Sequence, residues 1–548
     1  MRYLLLLSAL LGGGSGAPET LARDDYPRRA GIDIENYRFE LSLSDASDVI
    51  VGRTTVSLRF TSNGVSELPL DLIGVGEAGA GMSVHRVTSS GNELDWVHEA
   101  DVLTIHLPEE GQRGTRLDVI VEYSGIPASG LVPGPNKYGD RTFFSDNWPN
   151  RARNWLPTID HPYDKSMSEM VVTAPSHYQV VSNGVLVETT DQGDGTRLTH
   201  WKNSVPIATW LYVLGVAEFA VQHVDSFEGR PIETWVYRQD RDAGFYDFAV
   251  PTRAAMAFYD AYVGPFAYER LANITSPVTG GGMEAATAIM YHESSVTGDR
   301  SVRWRNVIIH EVAHQWFGNA VTESDWDDIW LSEGFATYFT LLFIEHAYGR
   351  DEFVAGLRSS AERVFAQYEA DPGYRIVHDD LSDMRRVTSG ATYQKGSWIL
   401  HMLRNRLGDE AFWTGIRAYY ARYMNGNATT SDFRTVMEEV SGLDLGIFFE
   451  QWLYSGGNPR LEGAWSYDSG AQAVRIDIRQ TQTTGPTFDL PLEIGIYFDG
   501  ADLPATVETL SIDGRTHQFV VPVDRRPTNV VLDPYVKTLF ESSFTARQ

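Results

Sequence analysis

The string His310-Glu311-Val312-Ala313-His314, with Glu333 following after eighteen intervening residues, restricts this chain more than any other stretch. Positions four apart on an α-helix lie about 40° apart around the axis and one turn up, so His310 and His314 leave from one face and can share one ion. Glu311 is rotated away from that pair and suits a carboxylate that takes a proton from water beside the metal. Val307, Ile308, Val312, Ala313, Trp316 and Phe317 are apolar and no proline interrupts them, which predicts a buried helix over about 302–317. A catalytic zinc keeps three protein ligands and one open position, and Glu333 is the best third ligand. The stretch from Trp330 to Tyr338 predicts a second helix, capped by Ser332 and running through Phe339, Leu341, Leu342 and Phe343. The loop between Gly318 and Asp328 lets the two helices pack around one Zn2+ per chain.

With 14 His and 73 acidic residues among 548, composition alone supplies about 0.05 strings of this type. A formal charge of −28 argues against nucleic acid as a partner, because that binding rests on Lys and Arg neutralising phosphates. Met1, Arg2, the apolar run Tyr3 to Leu11 and the small residues Ser15 and Ala17 read as a secretory signal peptide, the run being too short to span a bilayer. Cysteine is absent, so no disulfide framework or lipid-modified cysteine is expected. The expectation is a soluble exported protein, periplasmic or extracellular, without stable membrane insertion once the signal is removed.

The rest of the chain changes period twice. Tyr37, Phe39, Leu41 and Leu43 alternate with polar residues, as do Val56, Leu58 and Phe60, then Leu103, Ile105 and Leu107, then Leu117, Val119, Val121 and Tyr123. This predicts an N-terminal antiparallel β domain over 18–218. Helical spacing follows at 254–263, 332–348, 351–368, 393–407, 409–423 and 431–440, giving an α+β catalytic domain over 219–455. Period two returns at Val474, Ile476, Ile478 and at Leu492, Ile494, Ile496, Phe498, which predicts a small β-sandwich-like C-terminal domain over 456–548.

The zinc stretch resembles the zinc aminopeptidase family typified by aminopeptidase N, in a form lacking the C-terminal helical domain. Gly281-Gly282-Met283-Glu284-Ala285 resembles the family's Gly-x-Met-Glu-Asn box, with Ala285 in place of Asn. Tyr393-Gln394-Lys395-Gly396 resembles its Tyr-Glu-Lys-Gly segment, and Phe448 to Trp452 followed by Gly457-Asn458-Pro459 resembles the segment closing the catalytic domain. The resemblance implies a thermolysin-like catalytic domain, Tyr393 as donor to the transition-state oxyanion, and Glu284 with Gly281, Gly282 and Met283 as the substrate-binding box. Many family members also offer a Gln or Glu to the substrate amine from the β domain. Asp146, Asn147 and Trp148 stand there, with Trp148 either a wall for the first side chain or ordinary packing. Asp327 or Asp328 is a candidate to orient a histidine ring.

These readings converge on a zinc-dependent aminopeptidase acting on peptides with a free N-terminus, Glu311 serving as base and Tyr393 as oxyanion donor. Epoxide hydrolysis at the same zinc and an inactive peptide-binding scaffold stand as alternatives.

Overall fold

The computed structural model describes residues 24–378, 381 and 383–547; the expected signal peptide lies outside the described residues. Alternation in the N-terminal part resolves into an eight-stranded sheet in which Ile32–Ser44 lies between Ser47–Phe60 and Ser166–Pro175. Tyr37, Phe39 and Leu41 point into the core and Arg38 and Glu40 away from it, as period two requires. Every neighbouring pair in this sheet is antiparallel apart from Ile32–Ser44 with Ser166–Pro175, where Asn36 faces Met167 in parallel register. A second sheet orders Gln179–Ser182, Leu214–Ala217, Arg141–Ser145 and Leu131–Pro135. Its strand Arg141–Ser145 ends immediately before Asp146, which fixes where that carboxylate enters the site.

From Phe219 the chain builds a five-stranded mixed sheet whose edge strand is the short Gly282–Met283, paired with Ala288–His292. Helices follow: α1 (Arg241–Tyr262), α2 (Val302–His314), α3 (Trp330–Tyr348), α4 (Arg350–Ala370), α5 (Gly396–Leu407), α6 (Asp409–Tyr423) and α7 (Thr430–Ser441). Helix α3 is buried on nearly all sides from Trp330 to Ile344 and packs against α2, α4 and α5, the arrangement expected of a helix apolar all round. Three boundaries differ from the sequence reading. Helix α1 begins well before residue 254 and runs through Pro251. Helix α2 stops at His314, where Trp316 and Phe317 close a turn onto Ala313 and Gly318 reverses the chain at φ +107°. Ser332 lies inside α3 and does not cap it.

The C-terminal residues form a four-stranded sheet ordered Thr516–Pro522, Ala473–Gln480, Arg460–Asp468 and Glu541–Ala546, and a three-stranded sheet centred on Leu490–Tyr497. Val474, Ile476 and Ile478 are buried from one sheet, and Leu490, Leu492, Ile494 and Ile496 from the other. Among the described residues, no helix is long and apolar enough to cross a membrane.

Candidate metal centre and active site

Helix α2 presents His310 and His314 one turn apart, and α3 brings Glu333 against them. The Nε2 atoms of the two histidines lie 3.0 Å apart, and Glu333 Oε2 lies 3.4 Å from His310 Nε2 and 3.2 Å from His314 Nε2. Ligands about 2.05 Å from a tetrahedral ion stand about 3.3 Å from one another, so this trio has the spacing of a zinc site. Glu333 Oε2 is buried and completes no hydrogen bond. Burial alone would raise the Glu333 carboxyl, but the adjacent His314 and His310 hold it well below the usual carboxylate range. The residues present therefore fit a divalent cation, with Glu333 supplying the charge and two imidazoles the neutral donors.

The ring of His314 is set by the Phe317 carbonyl, 3.1 Å from Nδ1, and the Ser332 hydroxyl, 3.0 Å from it. A proton on Nδ1 leaves Nε2 free to face the ion. Asp328, one of the two carboxylates expected to orient a histidine, accepts at Oδ1 from Thr430 Oγ1 at 2.5 Å, at the start of α7. Ser332, expected to cap a helix, instead contributes to the site.

Glu311 faces the edge strand. A Cβ at Gly282 would stand 2.1 Å from Glu311 Oε1, so only glycine admits this approach. Burial, then the neighbouring Glu284, pushes the Glu311 carboxyl well above its ordinary range, and burial lifts Glu284 to about 7. Both belong to a pocket with surplus negative charge, which a cation relieves. The Glu284 backbone carbonyl accepts from Gln315 Nε2 at 3.0 Å and Asn319 Nδ2 at 2.6 Å. Those bonds pin the edge strand to the end of α2 and leave Glu284 Oε1 buried with no hydrogen-bond partner. Tyr393 sits in a π-helical turn, Ala391–Lys395, ahead of α5, and donates from its hydroxyl to Glu333 Oε1 at 2.7 Å. Such wide turns recur at functional sites because they shift one side chain out of the helical register.

These groups line one cleft of about 860 Å³ together with Gly281, Gly282, Met283, Asp146 and Trp148. The three β-domain residues divide their work. Asn147 is structural, donating to the Tyr212 carbonyl at 2.8 Å and accepting from Trp155 Nε1 at 2.9 Å. Trp148 lines the cleft and also packs edge-on against Trp210 and Trp326. Asp146, whose contact with substrate the sequence left open, faces the cleft as well; Arg151 pairs with it at 2.7 Å while burial raises its carboxyl. Arg303, Thr337, Thr340 and Arg363 also line the cleft and went unnoticed in the sequence. For Arg303 a signal existed: it stands seven residues, two helical turns, before His310.

Residues 34–211 match the Peptidase M1 N-terminal domain and residues 246–452 match the Peptidase family M1 domain. Glutamyl aminopeptidase of Mus musculus is 30% identical over 328 residues, 58% of this chain and 34% of that protein. Aminopeptidase N of Streptomyces lividans is 26% identical over 482 residues, 84% of this chain and 55% of that one. The crystal structure of an M1 zinc metallopeptidase from Deinococcus radiodurans superposes with a TM-score of 0.64 at 23% identity, covering 75% of this chain and 91% of that one. The β domain and the domain that carries the metal trio thus match the two domain models of one peptidase family. The chain belongs to peptidase family M1. It spans 34% to 55% of the length of these two curated relatives.

Proposed function

We propose that the chain is a zinc-dependent aminopeptidase that removes N-terminal residues from peptides. The observation that carries this reading is the buried Glu284 Oε1, without a hydrogen-bond partner, in the wall of the cleft that holds the His310, His314 and Glu333 trio. A buried carboxylate oxygen without a hydrogen-bond donor is costly; His314 Nδ1 stands 3.9 Å from Glu284 Oε1, beyond hydrogen-bond reach, and a substrate ammonium is the donor that removes the cost. Zinc held by the trio supplies a Lewis acid that acidifies water and polarises a carbonyl. Glu311 takes the proton of the attacking water and later returns it to the leaving amine. The Tyr393 hydroxyl donates to the carbonyl oxygen as negative charge grows on it. Glu284, with Asp146 beside it, receives the ammonium and so sets the distance from amine to cleaved bond.

The relatives support this reading by their names, and a Deinococcus metallopeptidase of the same fold is described bound to Tyr-Ser-Ala. The comparisons give the epoxide-opening alternative no support. Domain limits at 218/219 and 455/456 are part of the proposal, supported by sheets that keep to one side of each limit among the described residues. So is export through a leader at 1–17. The test is metal analysis joined to hydrolysis of leucine anilide and its N-acetylated form. One zinc per chain, activity abolished by chelation, and cleavage of the free amine alone are expected. Equal cleavage of both compounds would overturn the exopeptidase reading.

A further inference from the structure

The lining of α2 does not end at the metal ligands. Arg303, Asn306 and Val307 line the same cleft as His310 and His314, at intervals of three and four that keep them on one helical face. Seven residues of helix place Arg303 about 10 Å along the axis from His310. The carboxylates lining the cleft, Asp146, Glu284, Glu311 and Glu333, come from other elements or from the His310 end of α2. The cleft is therefore negative around the metal trio and positive at the start of α2.

The edge strand gives the substrate a direction. Gly282–Met283 is the last strand of its sheet, and Gly280 to Glu284 line the cleft. An extended peptide can lie along such an edge, with its ammonium at Glu284 and its carbonyl at the metal ligands. Its leaving part then passes Gly282, which touches Glu311, and continues along α2 toward the N-terminus of that helix. About 10 Å of extended chain is three residues at about 3.4 Å each. At that distance stands Arg303, exposed and with no carboxylate partner among the described residues, its guanidinium against the Trp304 ring at 5.1 Å. Arg363 of α4 lines the cleft as well, exposed and likewise without a carboxylate partner among the described residues; it is Arg303 that shares the helical face of the metal ligands.

We propose that Arg303 is a specificity residue, binding a carboxylate two to three residues beyond the cleaved bond and favouring short peptides or peptides acidic at that position. The inference rests on the aminopeptidase reading and deepens it. The ligand chemistry is a carboxylate from either of two sources, the peptide's own C-terminus or an acidic side chain.

The test compares kcat/KM for Leu-Ala-Ala-Ala with a free C-terminus, the same peptide as its amide, and Leu-Ala-Ala-Asp amide, on wild type, Arg303→Gln and Arg363→Gln. Wild type is expected to favour the free acid over the amide by about tenfold or more, the range of a charged hydrogen bond. Arg303→Gln brings the ratio to about one, and Arg303→Glu shifts preference toward Leu-Ala-Ala-Lys amide. A gain for the Asp amide equal to that of the free acid assigns the contact to any carboxylate; a gain for the free acid alone assigns it to the C-terminus. A wild-type ratio near one, a preference that survives in Arg303→Gln, or one that collapses only in Arg363→Gln overturns the proposal. Leucine anilide has no leaving peptide, so its hydrolysis by wild type tests the aminopeptidase reading separately. Calorimetric affinities of the acid and amide peptides for Glu311→Gln read the same contact without turnover.

Discussion

Glu311 and Glu284 are two buried carboxylates in one pocket with different tasks, and single substitutions separate them. Glu311→Gln keeps the side chain's volume beside Gly282 but accepts no proton, so zinc content should stay at one per chain while kcat falls roughly 10²–10⁴-fold. Near-normal kcat in a fully metallated variant would remove Glu311 from the base role. Glu284→Ala removes one partner of a buried charge pair, worth about 2–5 kcal/mol, or roughly 30- to 3,000-fold in kcat/KM. That loss should appear on a free-amine substrate and be nearly absent on its acetylated counterpart; equal losses would make Glu284 structural. In the sequence, His310, Glu311 and His314 are marked by their spacing on one helix, Glu284 by one short box, and Glu333 by its interval from His314 and its place in a second helix. Asp146, Asn147 and Trp148 were marked as a group, but which of them faces the cleft was not legible, because a strand of another sheet delivers them and no local period marks such an approach. The Phe317 carbonyl beside His314 was invisible for a different reason: any residue type supplies a carbonyl, so sequence carries no sign of it.

Among the elements, the π-helical turn at Ala391–Lys395 was read as the start of an ordinary helix, since nothing in the period of 393–407 distinguishes a wide turn from an α-turn. What holds the turn is Lys395, fully buried, donating from Nζ to Tyr368 of α4 at 2.9 Å and to the Gly457 carbonyl at 3.0 Å. Burial lowers its pKa from 10.5 to about 7. Between these values the unfolded chain binds the proton and the folded chain has released it, so the Lys395 contribution to stability rises with pH across about 7 to 10.5. Below that window the folded protein bears the full cost of a buried ammonium. Lys395→Met lacks the titration. Denaturant unfolding of both proteins from pH 6 to 10 should therefore show the stability of wild type, relative to the variant, increasing with pH; a constant difference would mean that the folded protein holds this proton normally. Helices α3 to α7 were otherwise legible to within a few residues because apolar faces repeat cleanly. Helix α1 was read short because its apolar, alanine-rich stretch begins at Ala254, whereas the helix starts at Arg241 and accommodates the Pro251 ring.

At the scale of the whole molecule, the cleft is assembled across the junction between β domain and catalytic domain, with Asp146 and Trp148 from one side and the metal trio from the other. Several hydrogen bonds and ion pairs cross that junction, Asn183 Nδ2 to the Ala286 carbonyl at 2.7 Å among them. Near the start of the described chain, Arg28 reaches His161 at 2.9 Å and Asp325 at 2.9 Å. Deeper, Lys165 donates from Nζ to the carbonyls of Asn319, Ala320 and Gly426 at 2.9, 3.1 and 3.1 Å. Asn319 in turn donates to the Glu284 carbonyl, so the β domain reaches the proposed amine anchor through a single turn of chain. The metal ligands lie on α2 and α3, whose contact needs no help from Lys165. Lys165→Met should therefore lower stability by about 1–3 kcal/mol, the cost of buried acceptors losing a donor. It should raise KM for free-amine peptides more than it lowers kcat, and leave zinc at one per chain. Unfolding followed by fluorescence and by activity should no longer coincide, because the β domain and the catalytic domain lose part of what makes them melt together. If zinc is lost while the metallated fraction keeps its KM, the clamp supports α2 and not the Glu284 strand, and the route from β domain to amine anchor is wrong.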